Sequence, residues 1–314
     1  MLTNLIISFV DSIVSFELNS LSSLELINLF GEFMRKSLLL LCFFGFFAVA
    51  KAESPGQLSA NSAFRFPSES FTEAYQRYLL RLNATTGTIQ QGSVLKSAVP
   101  FEQLNFRNVT QWPNIESAVT AFKKVRDTRF ISAPTPNSET MMRRSSWLFP
   151  DDGCFARAAL AGQNLQKWGA PRPSKVFIFG SLNVKTKNHP NGSVSWWYHV
   201  VPIVIVKQQA LVLDPAIEPT QPIPLKDWIL KMTSDLSKVK LSLCHPTAYG
   251  PNSPCLASSN DDGAIRDQMN YLRFEWNRLV EMKRDPLLEL GDSPPWPKDF
   301  TKLNFSAVIP AHNL

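Results

Sequence analysis

The stretch PDDGCFARAA, residues 150–159, places Cys154 at the predicted start of a helix. A thiol is a useful nucleophile only as the thiolate, and the unpaired backbone amides at a helix N-terminus favour the negative form. The position therefore predicts that Cys154 is a nucleophile. The alternative is that Cys154 is a small apolar core residue, as many lone cysteines are.

The other cysteines leave Cys154 unpaired. Of the four in the chain, Cys42 lies in an apolar leader, and Cys244 and Cys255 flank a short loop that contains Pro and Gly. Closing so short a loop stabilises a fold by about 3 kcal/mol, so we expect a disulfide between these two. An odd thiol in an exported protein is a candidate reactive group. His245 follows Cys244, but no C-x-x-C or H-E-x-x-H spacing occurs, so we expect no metal site and no cofactor.

A thiolate also needs a base, and His199 is the histidine that lies in an aromatic-rich predicted strand, WWYHVV. A two-residue turn at Lys207 and Gln208 would bring Asp214 onto the same sheet face as His199. Asp214 could then hold the imidazole and stabilise its charged form. Pro202 lacks an N–H for the ladder, which weakens this pairing or marks an edge strand. The alternatives are a core histidine and a turn-initiating Asp-Pro.

These residues carry a family resemblance. DGCFARA, followed by WWYHV and LDP, resembles the bacterial protein-glutaminases, which deamidate glutamine in proteins. The resemblance implies a Cys-His-Asp triad at Cys154, His199 and Asp214 in a transglutaminase-like fold. The family's His after A-R-A is Ala159 here and its Ser after D-P is Ala216, which puts the substrate preference in doubt. The resemblance also implies an inhibitory pro-region.

The hydrophobic pattern predicts the elements that would position these groups. We expect an α+β fold with a transglutaminase-like or papain-like core, in which the catalytic cysteine begins a helix packed on an antiparallel sheet that carries the His and Asp. Trp197 and Tyr198 either line a substrate cleft or belong to the core. The predicted helices are 68–87, 113–127, 154–168 and 264–285, the predicted strands are 175–182, 196–206 and 210–214, and residues 93–106 are predicted to be extended.

The N-terminal sequence has the pattern of a secretory signal over residues 34–52, with a basic start, an apolar run and an A-x-A cleavage site. We therefore expect a leader over residues 1–52 and a secreted or periplasmic product with no stable membrane anchor. Met34 is a candidate true start, which leaves open whether residues 1–33 are translated. We predict an N-terminal segment over 53–110, a candidate pro-region, and a catalytic domain over 111–314.

The net charge of +6 is scattered, without basic runs interleaved with aromatics, so we expect no nucleic-acid partner. The predicted function is a secreted hydrolase that deamidates accessible glutamine side chains in proteins or peptides and releases ammonia through a thioester. A transglutaminase, a thiol peptidase and a non-catalytic binding module remain alternatives. The sequence leaves the oligomeric state open.

Overall fold

The computed structural model describes residues 59–85, 88–134 and 140–290. The predicted leader, including Cys42 and the signal pattern, lies outside the described residues. No helix in the described ranges has the length and apolar character needed to cross a membrane.

The helices follow the predicted periodicity, with ends set by local capping. One example is α2, which begins where the Asn114 side chain accepts a hydrogen bond from the Ser117 amide at 2.8 Å. In the described residues the helices are α1 (Phe71–Thr85), α2 (Ile115–Asp127), α3 (Cys154–Lys167), α4 (Leu225–Leu230), α5 (Ala264–Glu281) and α6 (Pro286–Leu290).

Antiparallel strands form the main sheet, in the order β7-β6-β5-β4-β8, with β1 also paired to β5. A separate hairpin joins β2 to β3. The strands are β1 (Phe64–Arg65), β2 (Ile131–Pro134), β3 (Thr140–Arg143), β4 (Ser174–Lys185), β5 (Ser193–Val206), β6 (Gln209–Val212), β7 (Ile223–Pro224) and β8 (Lys240–Cys244).

The mixture of helices with an antiparallel sheet confirms the predicted α+β class. Helix α3 packs against β5, and α5 packs against α3. The Cys154 end of α3 therefore lies on the strand that carries His199. Residues 93–106 differ from the extended prediction, because two short 3₁₀ turns, Leu95–Ser97 and Phe101–Gln103, break the segment.

The turn between β5 and β6 has the predicted two residues. Lys207 and Gln208 both have positive φ, 48° and 70°, as a tight hairpin turn requires. Val206 pairs with Gln209, and the register continues beyond β6 where the Leu213 amide donates to the Pro202 carbonyl at 3.0 Å. The hairpin geometry inferred from the sequence is confirmed.

Pro202 does not mark an edge. It lies inside β5, which pairs with β4 on one side and with β6 on the other. Its partner across β4 is Lys175. The N–H that Pro202 lacks would point towards Leu213, one residue past the end of β6, so the ladder loses only a terminal bond.

Candidate active site

The backbone turns sharply just before Cys154. Gly153 has φ of 85°, a left-handed conformation that favours glycine. A Cβ at this position would lie 2.7 Å from the ring of Tyr271 on α5. Glycine is therefore required twice over, for the turn and for the close packing of α5, and it fixes Cys154 as the first residue of α3.

Arg157, in the first helical turn of α3, stabilises the backbone just before Cys154. Its guanidinium is buried, and Nη1 donates to the carbonyl oxygens of Ser146 at 3.3 Å, Phe149 at 3.2 Å and Asp152 at 2.8 Å. One guanidinium therefore binds three carbonyls of the loop that leads to Cys154 and holds that loop in place. Nothing in the local sequence indicated that its partners would be carbonyls.

Helix α5 holds the same loop from another side. Glu275 accepts from the Leu148 amide at 2.8 Å, and Gln268 donates to the Ser146 hydroxyl at 2.6 Å. Both side chains are fully buried. The sequence predicted α5 only as a core helix, because nothing in its local pattern shows which loop its polar residues will meet.

Cys154 is a free thiol, 2% exposed. Burial raises its pKa to about 12, against the lowering effects of the Arg157 charge and of a hydrogen bond from the Val200 amide. The sequence predicted that the helix start would favour the thiolate. In this conformation desolvation outweighs the two lowering effects, so the thiol is protonated at neutral pH.

His199 and Asp214 lie in direct contact. The imidazole Nε2 and the carboxylate Oδ2 are 2.9 Å apart, and both side chains are almost fully buried. Burial by itself would raise the pKa of Asp214, but the charge and hydrogen bond of His199, with a hydrogen bond from Trp228, hold it below its ordinary value. Asp214 is therefore a carboxylate suited to stabilise an imidazolium.

The thiol lies beside this pair without a direct bond to it. The amide that donates to Cys154 belongs to Val200, the residue after His199. His199 Nδ1 is buried and has no hydrogen-bond partner among the described residues. Because Nε2 is hydrogen-bonded to Asp214, Nδ1 is the imidazole nitrogen that remains available to accept a proton.

Two indoles lie nearly parallel to the His199 ring. The ring centroid of Trp196 is 4.5 Å away with an interplanar angle of 16°, and that of Trp228 is 5.8 Å away with an angle of 28°. Trp196 also donates to the Pro150 carbonyl at 2.8 Å. Trp196 belongs to the WWYHV motif, but the sequence around Trp228 offered no signal that it would reach the site.

Trp197 and Tyr198, predicted either to bind substrate or to pack in the core, are both buried. Trp197 donates to the Ser62 carbonyl at 2.8 Å, and the Tyr198 hydroxyl donates to the Asn61 carbonyl. The ring of Tyr78 on α1 lies 4.7 Å from that of Trp197. In this conformation the Trp197 indole N–H and the Tyr198 hydroxyl are hydrogen-bonded to the N-terminal segment.

The N-terminal segment also reaches the loop before Cys154. The Ala63 amide donates to Asp152 Oδ1 at 3.1 Å, and the Ala63 carbonyl accepts from the Trp197 amide at 3.3 Å. Asp152 is buried, which raises the pKa of its carboxyl. Residues 61–63 therefore connect the Cys154 loop to the strand of His199.

The remaining pair of cysteines is joined. A disulfide links Cys244, the last residue of β8, to Cys255, as the sequence predicted. His245 binds Thr247 through Nδ1 at 2.8 Å. No group of three or more potential metal ligands occurs in the part of the chain that the structure describes.

Among solved structures, the matches include protein-glutaminases. The crystal structure of protein-glutaminase shares 21% identity, covers 62% of this chain and 99% of its own, and has a TM-score of 0.41. The crystal structure of pro-protein-glutaminase shares 17% identity, with 66% and 70% covered and a TM-score of 0.40. The NMR structure of protein-glutaminase from Chryseobacterium proteolyticum shares 20% identity, with 62% and 97% covered and a TM-score of 0.39. A search of curated proteins finds no match.

Residues 118–232 match the family model described as glutaminase. This part of the chain is similar to the glutaminase family. This confirms the resemblance drawn from the three motifs and supports a glutamine-deamidating enzyme. The matched range contains Cys154, His199 and Asp214, together with Trp228, whereas α5 lies beyond it.

The two departures from the protein-glutaminase motifs lie near the site. Ala159 is fully buried and packs with Leu160 in a cluster that includes residues of α5. Ala216 donates its amide to Asp214 Oδ1 at 3.1 Å, a bond that needs no side chain. A backbone contact therefore orients Asp214 here, while the hydroxyl that the family's serine would place there is missing.

Proposed function

We propose that this chain hydrolyses the γ-carboxamide of glutamine side chains in proteins or peptides, producing glutamate and ammonia. The observation that carries the proposal is the 2.9 Å pair of His199 and Asp214 beside Cys154 at the start of α3. The family match over residues 118–232, which includes all three residues, supports the choice of a carboxamide substrate.

In the proposed reaction Cys154 is the nucleophile and His199 the acid and base. Sγ attacks the carboxamide carbon as its proton passes to Nδ1 of His199, while free amides at the start of α3 stabilise the oxyanion. The imidazolium, stabilised by Asp214, then protonates the leaving nitrogen, and ammonia departs to leave a thioester. Water activated by the neutral imidazole hydrolyses the thioester to glutamate and restores the thiol.

We further propose that the N-terminal segment, expected over residues 53–110, acts as a pro-region. Cys154 is 2% exposed, and residues 61–63 bind both Asp152 and Trp197. A protein substrate cannot reach a thiol enclosed in this way. Cleavage or displacement of the segment would expose the thiol and reduce the desolvation that raises its pKa.

Limited proteolysis tests this proposal. Removal of the segment should increase the rate of iodoacetamide alkylation at Cys154 and the rate of ammonia release together. Equal alkylation and turnover before and after cleavage would show that residues 61–63 do not control access.

Three alternative functions would use the same three side chains, either in a different reaction or in no reaction at all. A transglutaminase would join an amine to the glutamine, a thiol peptidase would cleave the chain, and a binding module would do neither. The protein should be offered a glutamine-rich protein, a short glutamine peptide and free glutamine. Ammonia release from the first two, without amine incorporation or chain cleavage, is the expected result, and activity on free glutamine alone would refute a macromolecular substrate.

A secreted or periplasmic location is part of the proposal. The disulfide between Cys244 and Cys255 supports it, since disulfides persist in oxidising compartments. The predicted signal over residues 34–52 would direct export. N-terminal sequencing of the exported protein should give a terminus after residue 52, and a mature terminus upstream of Met34 would contradict the signal.

A further inference from the structure

We propose that Trp228 is a positioning residue of the active site, which fixes the Asp214 carboxylate and keeps it available to His199. The inference rests on the proposed function, because it gives Trp228 a part in the same reaction. Its indole donates to Asp214 rather than to the thiol, so it would act through that carboxylate.

The hydrogen bonds to Asp214 carry the argument. Oδ2 accepts from the indole Nε1 of Trp228 at 2.9 Å and from His199 Nε2, also at 2.9 Å. Oδ1 accepts from the Ala216 amide at 3.1 Å. With one donor on Oδ1 and the indole on Oδ2, the carboxylate cannot rotate without breaking a bond, so the oxygen that faces His199 is fixed.

The indole is itself fixed. Trp228 is fully buried on α4, and its ring lies 5.8 Å from the His199 ring, nearly parallel to it. A buried indole N–H requires an acceptor, and Asp214 supplies it. The same side chain therefore orients the carboxylate and shields the pair of His199 and Asp214 from water. A hydrogen bond to a charged group is stronger in such a buried site than in water.

Other groups also act on this carboxylate. Besides His199 on β5, the charge of Arg157 on α3 favours the ionised form of Asp214, and Cys154 on α3 interacts electrostatically with it. The Trp228 donor adds to these effects. Its loss should make Asp214 easier to protonate, and His199 would then lose its anionic partner at a higher pH.

The test compares Trp228→Phe with Trp112→Phe. The first keeps a buried aromatic ring but removes the donor to Asp214. The second removes the same group from a buried indole that donates to the Pro171 carbonyl at 3.1 Å, in a separate core cluster. Two profiles are measured against pH for each variant, before and after limited proteolysis of the N-terminal segment. They are ammonia release from a glutamine-rich protein and the alkylation rate of Cys154 by iodoacetamide, located by mass spectrometry.

In Trp228→Phe we expect kcat to fall about tenfold to hundredfold with KM little changed, as for the loss of one hydrogen bond to a charged group. The acid-side inflection of both profiles should move up by about one pH unit. Trp112→Phe should leave both inflections in place. An unmoved inflection in Trp228→Phe, or an equal shift in Trp112→Phe, overturns the proposal.

The alkylation profile separates this inference from the proposed function. If the wild-type protein releases no ammonia from any glutamine substrate, the proposed function is wrong, but the alkylation inflection still decides the part played by Trp228. If Trp228→Phe does not fold, fluorotryptophan can replace tryptophan throughout the chain, since it makes the indole N–H a stronger donor. The inflection should then move to lower pH in the wild-type sequence, and an upward shift or none overturns the proposal.

Discussion

Replacing Asp214 by asparagine removes the charge from the centre of the proposed triad while keeping its shape. In the native protein both carboxylate oxygens accept hydrogen bonds, Oδ2 from His199 and Trp228 and Oδ1 from Ala216. An amide has one oxygen and one NH₂ group. In either orientation of the substituted amide, the NH₂ faces a donor that formerly had an acceptor, so either the buried Trp228 indole N–H or the half-buried Ala216 amide is left unpaired.

The two losses act on different quantities. The unpaired donor is present in the free enzyme and in the transition state alike, so it lowers the free energy of unfolding, by about 1–3 kcal/mol, and not kcat/KM. The lost bond between an imidazolium and a carboxylate removes about 1.5–3 kcal/mol from the charged state that forms during the reaction. At about 1.36 kcal/mol per factor of ten, this loss predicts that kcat/KM of Asp214→Asn falls about tenfold to hundredfold.

The assay is ammonia release from a glutamine-rich protein, before and after limited proteolysis of the N-terminal segment, with circular dichroism to establish that the variant is folded. Asp235→Asn is the matched control, because Asp235 also accepts a backbone hydrogen bond, from Ser237, but lies at the surface. It should change kcat/KM by less than about twofold, as is usual for surface substitutions. A folded Asp214→Asn variant that retains more than about a tenth of the native activity would refute the argument from the hydrogen bonds.

Three further substitutions test the structure around the site. Gly153→Ala should lower the free energy of unfolding in urea by about 1–3 kcal/mol, because it adds a clash to a left-handed backbone. Gly192 is also left-handed but has open space around it, so Gly192→Ala should lower the free energy of unfolding by only about 1 kcal/mol. Burial lowers the pKa of Lys175 to about 7, below its unfolded value, so native stability should rise with pH from about 7 to 10, and Lys175→Met should abolish that rise. Replacing Cys244 and Cys255 by Ser should lower the unfolding free energy by about 2–4 kcal/mol. Thermal melting under oxidising conditions provides an independent check. An unchanged unfolding free energy in the glycine or cysteine variants, or an unchanged rise with pH in Lys175→Met, contradicts the corresponding reasoning.

The register that brings His199 and Asp214 together could be predicted from the sequence. Two apolar runs leave only Lys207 and Gln208 between them, and a two-residue turn fixes which residues face each other across the hairpin. The start of α3 at Cys154 is equally local, because it depends on Gly153. Features set by adjacent residues are therefore within reach of sequence analysis.

The protonation state of Cys154 was not predictable in the same way. The helix start favours a thiolate, but burial decides the pKa here. Residues 61–63, which are distant in sequence, bind the neighbouring Asp152 and Trp197. Trp228 is a similar case. It reaches Asp214 because the chain turns back after β7 into α4, and no local pattern shows where that helix will lie. Long-range packing supplies the part of the site that the motifs do not contain.

The most direct test of the proposed function is mass spectrometry of a glutamine-containing protein incubated with the native chain or with Cys154→Ala, alongside ammonia measurement. The native chain, freed of its N-terminal segment if necessary, should convert glutamine to glutamate at identified positions and release an equal amount of ammonia. Cys154→Ala should do neither. Conversion that persists in the folded Cys154→Ala variant would contradict the assignment of the nucleophile and the mechanism built on it.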